Sequence, residues 1–175
     1  MDSIIFDLDI HNWKQNESEF DKLISNKRNL LFLIESDDGI KFGVFISSQI
    51  YVGKWISDEN AFVFTFKDNK PMKFDIKKNV NEKNQSFYLC DKYDERLFQI
   101  GWNDVEICKE NFKSTIFQND FCSFDYEGIE NALIGKIFPF SFYPKRILVI
   151  QMANEREIKI DMSINPFIDY DDLSE

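Results

Sequence analysis

The sequence has few of the residues from which catalytic and metal-binding sites are commonly built. Its one histidine, His11, excludes any metal site with several histidines, and no other histidine could serve as the base of a Ser-His-Asp triad. The three cysteines, Cys90, Cys108 and Cys122, form no Cys-x-x-Cys pair, so a zinc site would have to join all three to His11 without a paired spacing. The six glycines are spread singly, which excludes a glycine-rich phosphate-binding loop. We therefore expect no cofactor and no metal.

Signals for export and for membrane insertion are also missing. The N-terminal sequence MDSIIFDLDI has no basic segment ahead of an apolar signal region. No apolar run approaches the roughly 20 residues that a helix needs to cross a bilayer. We therefore expect a cytoplasmic protein that is not inserted into a membrane.

Basic residues are the minority among the charged side chains. The sequence has 31 Asp and Glu against 21 Lys and Arg, which gives a net charge of −10 at pH 7. A surface with this balance repels phosphate backbones and anionic lipid headgroups. A nucleic-acid-binding regulator is therefore a minor alternative, kept because aromatic-rich sheets can stack bases.

Phenylalanine is abundant, with 19 in 175 residues, and this length and composition favour one β-rich domain. The continuous apolar run Leu30 to Ile34 predicts a strand covered on both faces. Because Asp37-Asp38-Gly39 supplies turn residues, we predict that this strand forms a hairpin with Lys41 to Ile46. Ala61 to Phe66 and the alternating run Met72 to Ile76 predict a second hairpin.

The rest of the chain predicts shorter elements. Ser18 to Ile24 has the spacing of a short amphipathic helix, and Ser47 to Asn60 is predicted to be a surface excursion pinned by Trp55. The stretch Asp94 to Lys109 predicts two strands that meet at a tight bend around Gly101. Arg146 to Met152 predicts the last strongly apolar strand. Ala132 to Gly135 fits either one helical turn or a short strand.

We predict that residues 1–152 form the domain. Residues 153–175 are predicted to contain an edge strand at Glu157 to Met162 and an acidic tail at Asp169 to Glu175. The tail carries four acids in seven residues with little to bury, so we expect disorder or loose docking there.

The first predicted strand ends in two acids that resemble a phosphatase motif. Ile4-Ile5-Phe6-Asp7-Leu8-Asp9 is an apolar strand followed by Asp-x-Asp, as in the haloacid dehalogenase phosphatases. In such an enzyme one carboxylate would attack phosphorus while the other protonates the leaving group beside Mg²⁺. That fold needs alternating strands and helices, whereas this sequence predicts consecutive hairpins. A Mg²⁺-dependent phosphatase using Asp7 and Asp9 is the alternative; a strand end capped by solvated acids is favoured.

Six segments in a fixed order carry a family resemblance. They are Lys27 to Ile34, Ile40 to Phe45, Ala61 to Phe66, Leu97 to Ile107, Ala132 to Gly135 before an aromatic run, and Lys145 to Val149. In order and spacing they resemble the TLDc domain, the module of oxidation-resistance proteins and of regulators of the vacuolar proton-pumping ATPase. The likeness runs from about Ile4 to Met152. It implies a mainly β (α+β) fold, a two-sheet antiparallel β-sandwich with a few short helices.

The resemblance also marks individual positions. Four of them match the family as structural residues: Gly43, Gly101, Asp104 and Gly135. The chain departs from the family pattern at two places. The family's closing strand usually carries a Glu two residues after its basic residue, and this chain has Leu148 there. The family's glycine-rich segment before the acid at Asp104 is reduced to Gly101-Trp102-Asn103. A hydrolase-like activity that depended on those groups is therefore expected to be absent. We predict no catalytic residue; among the thiols we expect Cys122 to be the most accessible to oxidants, although a structural role is favoured for it as well.

The function implied by the resemblance is protein binding. We expect a non-enzymatic module that regulates a larger assembly, with vacuolar ATPase subunits as the candidate partner, and that is linked to oxidative-stress protection. The sequence predicts neither the partner surface nor the oligomeric state.

Overall fold

The computed structural model describes residues 2–67, 70–78, 85–117, 122–135 and 139–153. In chain order the elements over these residues are β1 (Ser3–Asp7), α1 (Phe20–Ile24), β2 (Leu30–Ser36), β3 (Lys41–Ile46), β4 (Trp55–Ser57), β5 (Phe62–Lys67), β6 (Lys70–Asp75), β7 (Gln85–Leu89), β8 (Arg96–Ile100), β9 (Val105–Cys108), β10 (Ser114–Ile116), β11 (Phe140–Phe142) and β12 (Pro144–Gln151). The predicted edge strand and acidic tail lie outside the described residues. No helix within the described residues is long and apolar enough to cross a membrane.

The strands form two antiparallel sheets of six strands each. The first sheet has the order β1-β12-β2-β3-β5-β6, and the second has the order β11-β10-β9-β8-β7-β4. Phe32 of the first sheet contacts Phe87 and Phe98 of the second, with ring centroids 4.7 and 5.2 Å apart. The main apolar core therefore lies between the two sheets, which confirms the predicted β-sandwich.

Both predicted hairpins are present. β2 pairs with β3 from Leu30↔Ile46 to Glu35↔Lys41, and Gly39 takes the positive φ of 85° that the connecting turn requires. β5 pairs with β6 in the same way. The helix α1 is shorter than predicted, because Ser18 lies before it and accepts a hydrogen bond from the amide of Phe20.

The excursion after β3 differs from its prediction. Trp55 does not pin it to the core; Ile50 and Ile56 are its buried anchors, at 0% and 6% exposure. Ile56 lies in β4, which pairs with β7 at the edge of the second sheet. Because neighbouring residues of a strand point to opposite faces, burial of Ile56 turns Trp55 to the outer face.

The first sheet is apolar on both faces, as the run Leu30 to Ile34 predicted. The face toward the second sheet contributes to the main core. The opposite face carries a second cluster whose members are at most 5% exposed: Leu31, Leu33, Phe45, Phe62, Phe64 and Leu148. Leu148 pairs directly with Leu33, so it belongs to the centre of this cluster.

Gly43 lies beneath this second cluster. A Cβ atom at this position would collide with the Phe32 carbonyl oxygen and would lie 2.5 Å from Cζ of Phe64. We expect Gly43→Ala to lower the free energy of unfolding by about 3 kcal/mol, because the backbone oxygen cannot move aside without breaking the sheet. Urea unfolding followed by far-ultraviolet circular dichroism measures this change.

Gly39→Ala is the matched control for that experiment. Gly39 has a positive φ, but no atom lies within 4 Å of the place that a Cβ would occupy, so this variant measures backbone strain alone. It should cost about 1 kcal/mol. A Gly43→Ala variant no less stable than Gly39→Ala would contradict the close packing at Gly43.

Candidate functional site

A tight corner joins β8 to β9 at residues 101–104. Gly101 and Asn103 both take left-handed conformations, with φ of 62° and 64°. The amide of Gly101 donates a hydrogen bond to the carbonyl of Ser86, 2.8 Å away. A side chain at Gly101 would overlap the carboxylate of Asp104. Glycine is therefore required here both for the backbone conformation and for space, in agreement with the tight bend that the sequence predicted around Gly101.

The carboxylate of Asp104 is fully buried and binds three donors from one neighbouring segment. Its Oδ2 accepts a hydrogen bond from the amide of Ser123 at 2.6 Å. Its Oδ1 accepts bonds from the amide of Phe124 at 3.1 Å and from the hydroxyl of Tyr126 at 2.9 Å. One side chain therefore fastens the β8–β9 corner to residues 123–126. We name residues 101–104 together with residues 123–126 the Asp104 corner.

Burial dominates the ionisation of this carboxyl group. It raises the pKa of Asp104 from 3.8 to about 7, while the hydrogen bonds from Ser123, Tyr126 and Phe124 favour the charged form and oppose the shift. Burial also raises the pKa of the Tyr126 hydroxyl well above its ordinary value. Tyr126 therefore remains a hydrogen-bond donor to Asp104 at neutral pH.

The raised pKa of Asp104 predicts a pH-dependent stability. Between pH 3.8 and about 7 the folded state keeps a proton on Asp104 that the unfolded chain has released. The stabilisation from this group is thus complete below pH 3.8 and is lost as the pH rises through about 7. In urea titrations across this range, the free energy of unfolding should fall more steeply with pH for the natural chain than for Asp104→Asn, which does not titrate. Equal slopes would contradict the raised pKa.

The Asp104 corner also fixes the position of Trp102. The hydroxyl oxygen of Ser123, whose amide is held by Asp104, accepts a hydrogen bond from the amide of Trp102 at 2.8 Å. The Trp102 side chain is 45% exposed, and its ring centroid lies 5.4 Å from that of Trp55. A buried carboxylate thus holds an exposed tryptophan at the surface of the second sheet.

Trp102 completes an aromatic surface on the outer face of that sheet. Trp55 pairs with Tyr88 across β4 and β7, and the two ring centroids are 5.2 Å apart. Together with polar neighbours the three rings line an open cavity of about 300 Å³. We name this site the aromatic basin, and its lining residues are Trp55, Tyr88, Arg96, Gln99, Trp102 and Asn103.

The charged groups beside the basin are paired. Arg96 donates to both carboxylate oxygens of Asp94, at 3.0 and 2.9 Å, and its second terminal nitrogen lies 3.6 Å from Glu106. The hydrogen bond from Arg96 lowers the pKa of Asp94 below its ordinary value. Gln99 donates a hydrogen bond of 2.8 Å to the same oxygen of Glu106. These three charged groups sum to one negative charge, and the buried ammonium of Lys109 also lowers the pKa of Asp94.

The structure places the other family-matching positions apart from this site. Gly43 lies in the first sheet, and Gly135, with φ of 65°, ends a hydrogen-bonded turn in which its amide donates to the carbonyl of Asn131. The segment Ala132 to Gly135 is thus a turn and not a strand. Leu148 belongs to the second apolar cluster, so the position where the family usually has Glu is buried and distant in the fold from the outer face of the second sheet.

Cys122 lies beside the Asp104 corner and is buried at 8% exposure, slightly more exposed than Cys90 and Cys108. Burial, followed by the nearby Asp104, raises the pKa of its thiol, which disfavours the reactive thiolate. Lys77 donates a hydrogen bond to its sulfur at 3.5 Å, and the thiol donates to the carbonyl of Phe124 at 3.3 Å. Oxidation of Cys122 stays a prediction.

Asp7 is the last residue of β1, at the edge of the first sheet, and Asp9 follows the strand. The prediction of solvated acids was wrong for Asp7, which is buried at 8% exposure and accepts a hydrogen bond from the amide of Asp9 at 3.0 Å; Asp9 itself is exposed. β1 pairs with β12 in the antiparallel direction. This antiparallel architecture differs from the alternating strands and helices that the phosphatase motif requires. Among the described residues no cluster of three metal-ligating side chains is present.

The aromatic basin was not predicted from the sequence. Trp55, Tyr88 and Trp102 come from two strands and a turn, and antiparallel pairing brings them together. A partial signal was available, because Tyr88 lies between the apolar residues Phe87 and Leu89, whose burial leaves it on the outer face. The contribution of Trp102 depends on the contacts of Asp104, for which the sequence has no local signal.

A family comparison agrees with this architecture. The family model of the TLDc domain matches residues 4–129, which is well over half of the chain. The chain therefore belongs to the TLDc-domain family. The matched range includes the Asp104 corner and all residues that line the aromatic basin. No curated protein matches the sequence significantly.

Proposed function

We propose that this chain is a non-enzymatic protein-interaction module and that the aromatic basin is its contact surface. The observation that carries the proposal is a group of three aromatic rings that the fold holds at the surface of the second sheet rather than in its core. Tryptophan, tyrosine and arginine are the side chains that contribute most often to strong binding at protein interfaces. Trp55, Tyr88, Trp102 and Arg96 supply all three types.

The roles of the buried ionisable groups support a binding function. Asp104 accepts hydrogen bonds from three donors within residues 123–126. The ammonium group of Lys109, whose side chain is buried, donates hydrogen bonds to the carbonyl oxygens of Asp91 and Asp94, the first at 2.8 Å. Asp104 and Lys109 therefore stabilise the loops to which they are hydrogen-bonded.

Family membership suggests the partner. We propose that the chain regulates the vacuolar proton-pumping ATPase, as the resemblance to TLDc regulators of that enzyme implies, and that it does so in the response to oxidative stress. Affinity purification of the tagged full chain from its own cells, with and without peroxide, tests this proposal by mass spectrometry. Enrichment of vacuolar ATPase subunits is the expected result. If other proteins were recovered reproducibly and ATPase subunits were not, the chain would be an interaction module for a different assembly.

An assay for phosphatase turnover tests the non-enzymatic part of the proposal. We expect no hydrolysis of a panel of phosphoesters in the presence of Mg²⁺. Turnover that Asp7→Asn abolishes would contradict the proposal and favour the phosphatase alternative.

A further inference from the structure

We propose that the aromatic basin binds an extended, proline-rich peptide segment that carries basic residues. This inference rests on the proposed function, because it names the kind of partner that the same surface takes.

The arrangement of the rings favours a ligand that lies across them. Trp55 is tilted by 49° to Tyr88 and by 51° to Trp102, with centroid distances of 5.2 and 5.4 Å. Rings this close to one another leave no room between them for a group such as a methylated ammonium, which an aromatic cage encloses. The three rings line an open cavity instead. Proline rings pack on such surfaces, and aromatic-lined grooves are the usual binding sites of polyproline II segments.

The polar border of the basin suits the backbone of such a segment. A polyproline II helix has no internal hydrogen bonds, so its carbonyl groups need donors from water or from a partner. Gln99 and Asn103 line the basin and carry side-chain amides, of which that of Gln99 already donates one hydrogen bond to Glu106. Because a polyproline segment is already extended before it binds, little conformational entropy is lost on docking.

The charges select among possible ligands. Arg96 is held by Asp94 and Glu106, and these three groups sum to one negative charge beside the basin. The whole chain carries −10 at pH 7. The negative charge beside the basin and the net negative charge of the chain both attract arginine or lysine and repel phosphate groups. Nucleic acids and phosphopeptides are therefore disfavoured as ligands. A basic residue next to the prolines would therefore lie toward Glu106.

Peptide titration tests the inference on the full chain. The probe is a fluorescein-labelled ten-residue peptide with a Pro-x-x-Pro pattern followed by two arginines, and binding is measured by fluorescence anisotropy. Two comparison peptides replace the prolines by alanine, or the arginines by glutamate. We expect saturable binding of the first peptide and affinities at least about tenfold lower for both comparison peptides.

Variants of the protein locate the site. Trp55→Thr and Tyr88→Thr keep a residue that favours strands, and circular dichroism establishes that each variant is folded. We expect each to lower the affinity at least about tenfold, since truncation of a central aromatic residue commonly has this effect. Tyr143→Ala removes an aromatic side chain that is 42% exposed outside the basin, and it is the matched control. Its affinity should stay within about twofold of the natural chain.

Several results would overturn the inference. They are the absence of saturable binding, equal affinity for the alanine peptide, unchanged affinity in folded Trp55→Thr and Tyr88→Thr, and binding of a trimethyl-lysine peptide or a single-stranded RNA in place of the proline-rich probe. If the affinity purification still recovers a protein partner while the peptide does not bind, the proposed function stands and the inference about the ligand fails.

Discussion

Replacement of Asp104 by alanine is expected to lower the free energy of unfolding by about 3 to 6 kcal/mol. The change would leave three buried donors, the amides of Ser123 and Phe124 and the hydroxyl of Tyr126, without their acceptor. Each buried donor left unpaired costs about 1 to 3 kcal/mol, and such costs are not strictly additive. Since whole domains are stable by only about 5 to 15 kcal/mol, this variant should be close to unfolding at room temperature.

Urea unfolding measures the effect, with Glu130→Ala as the control. Glu130 is an exposed acid on the nearby turn, so its removal should change stability by no more than about 0.5 kcal/mol. If Asp104→Ala were also within about 1 kcal/mol of the natural chain, the carboxylate would not hold the corner together.

Replacement of Leu148 by glutamate should have an effect of similar size. Leu148 is 1% exposed at the centre of the second apolar cluster, opposite Leu33 in β2. A carboxylate there would be removed from water without a described cation beside it, and we expect a loss of at least about 3 kcal/mol at neutral pH. The loss should shrink as the pH falls, because burial raises the pKa of the introduced acid and the neutral form is tolerated better.

Leu148→Met keeps the volume and the apolar character of the side chain, so it should cost less than about 1.5 kcal/mol. Thermal unfolding of both variants at acidic and neutral pH makes the comparison. A Leu148→Glu chain as stable as Leu148→Met at neutral pH would mean that this face is open to water. The expected loss would also explain why this chain departs from the family's usual Glu: its own first sheet has an apolar outer face.

Local patterns were sufficient to predict the hairpins. The turn at Gly39 lies between two apolar runs that are adjacent in the sequence, and the pairing of β2 with β3 followed directly. The pairing of β1 with β12 joins residues from opposite ends of the described chain, such as Ser3 and Gln151. No local pattern specifies such a pairing. The order of strands in each sheet therefore could not be predicted from the sequence, although the family resemblance implied two sheets.

The candidate site was also only partly predictable from local sequence patterns. The sequence marked Gly101 and Asp104 through the resemblance, and it indicated a tight bend at Gly101. It did not show that Asp104 is buried, because its three donors come from residues 123–126, about twenty positions further along the chain. Trp55 was predicted to pin the excursion after β3, whereas the alternation in β4 buries Ile56 instead.

We propose that Trp55, Tyr88 and Trp102, which the fold holds at the surface, bind a protein partner. The most direct measurement compares the partners recovered by the natural chain, by Trp55→Thr and by Tyr143→Ala, each used as full-length bait with quantitative mass spectrometry. We predict that the natural chain and Tyr143→Ala recover the same partner and that folded Trp55→Thr recovers at most about a tenth as much. Equal recovery by all three baits would contradict the claim and place the interaction surface elsewhere on the domain.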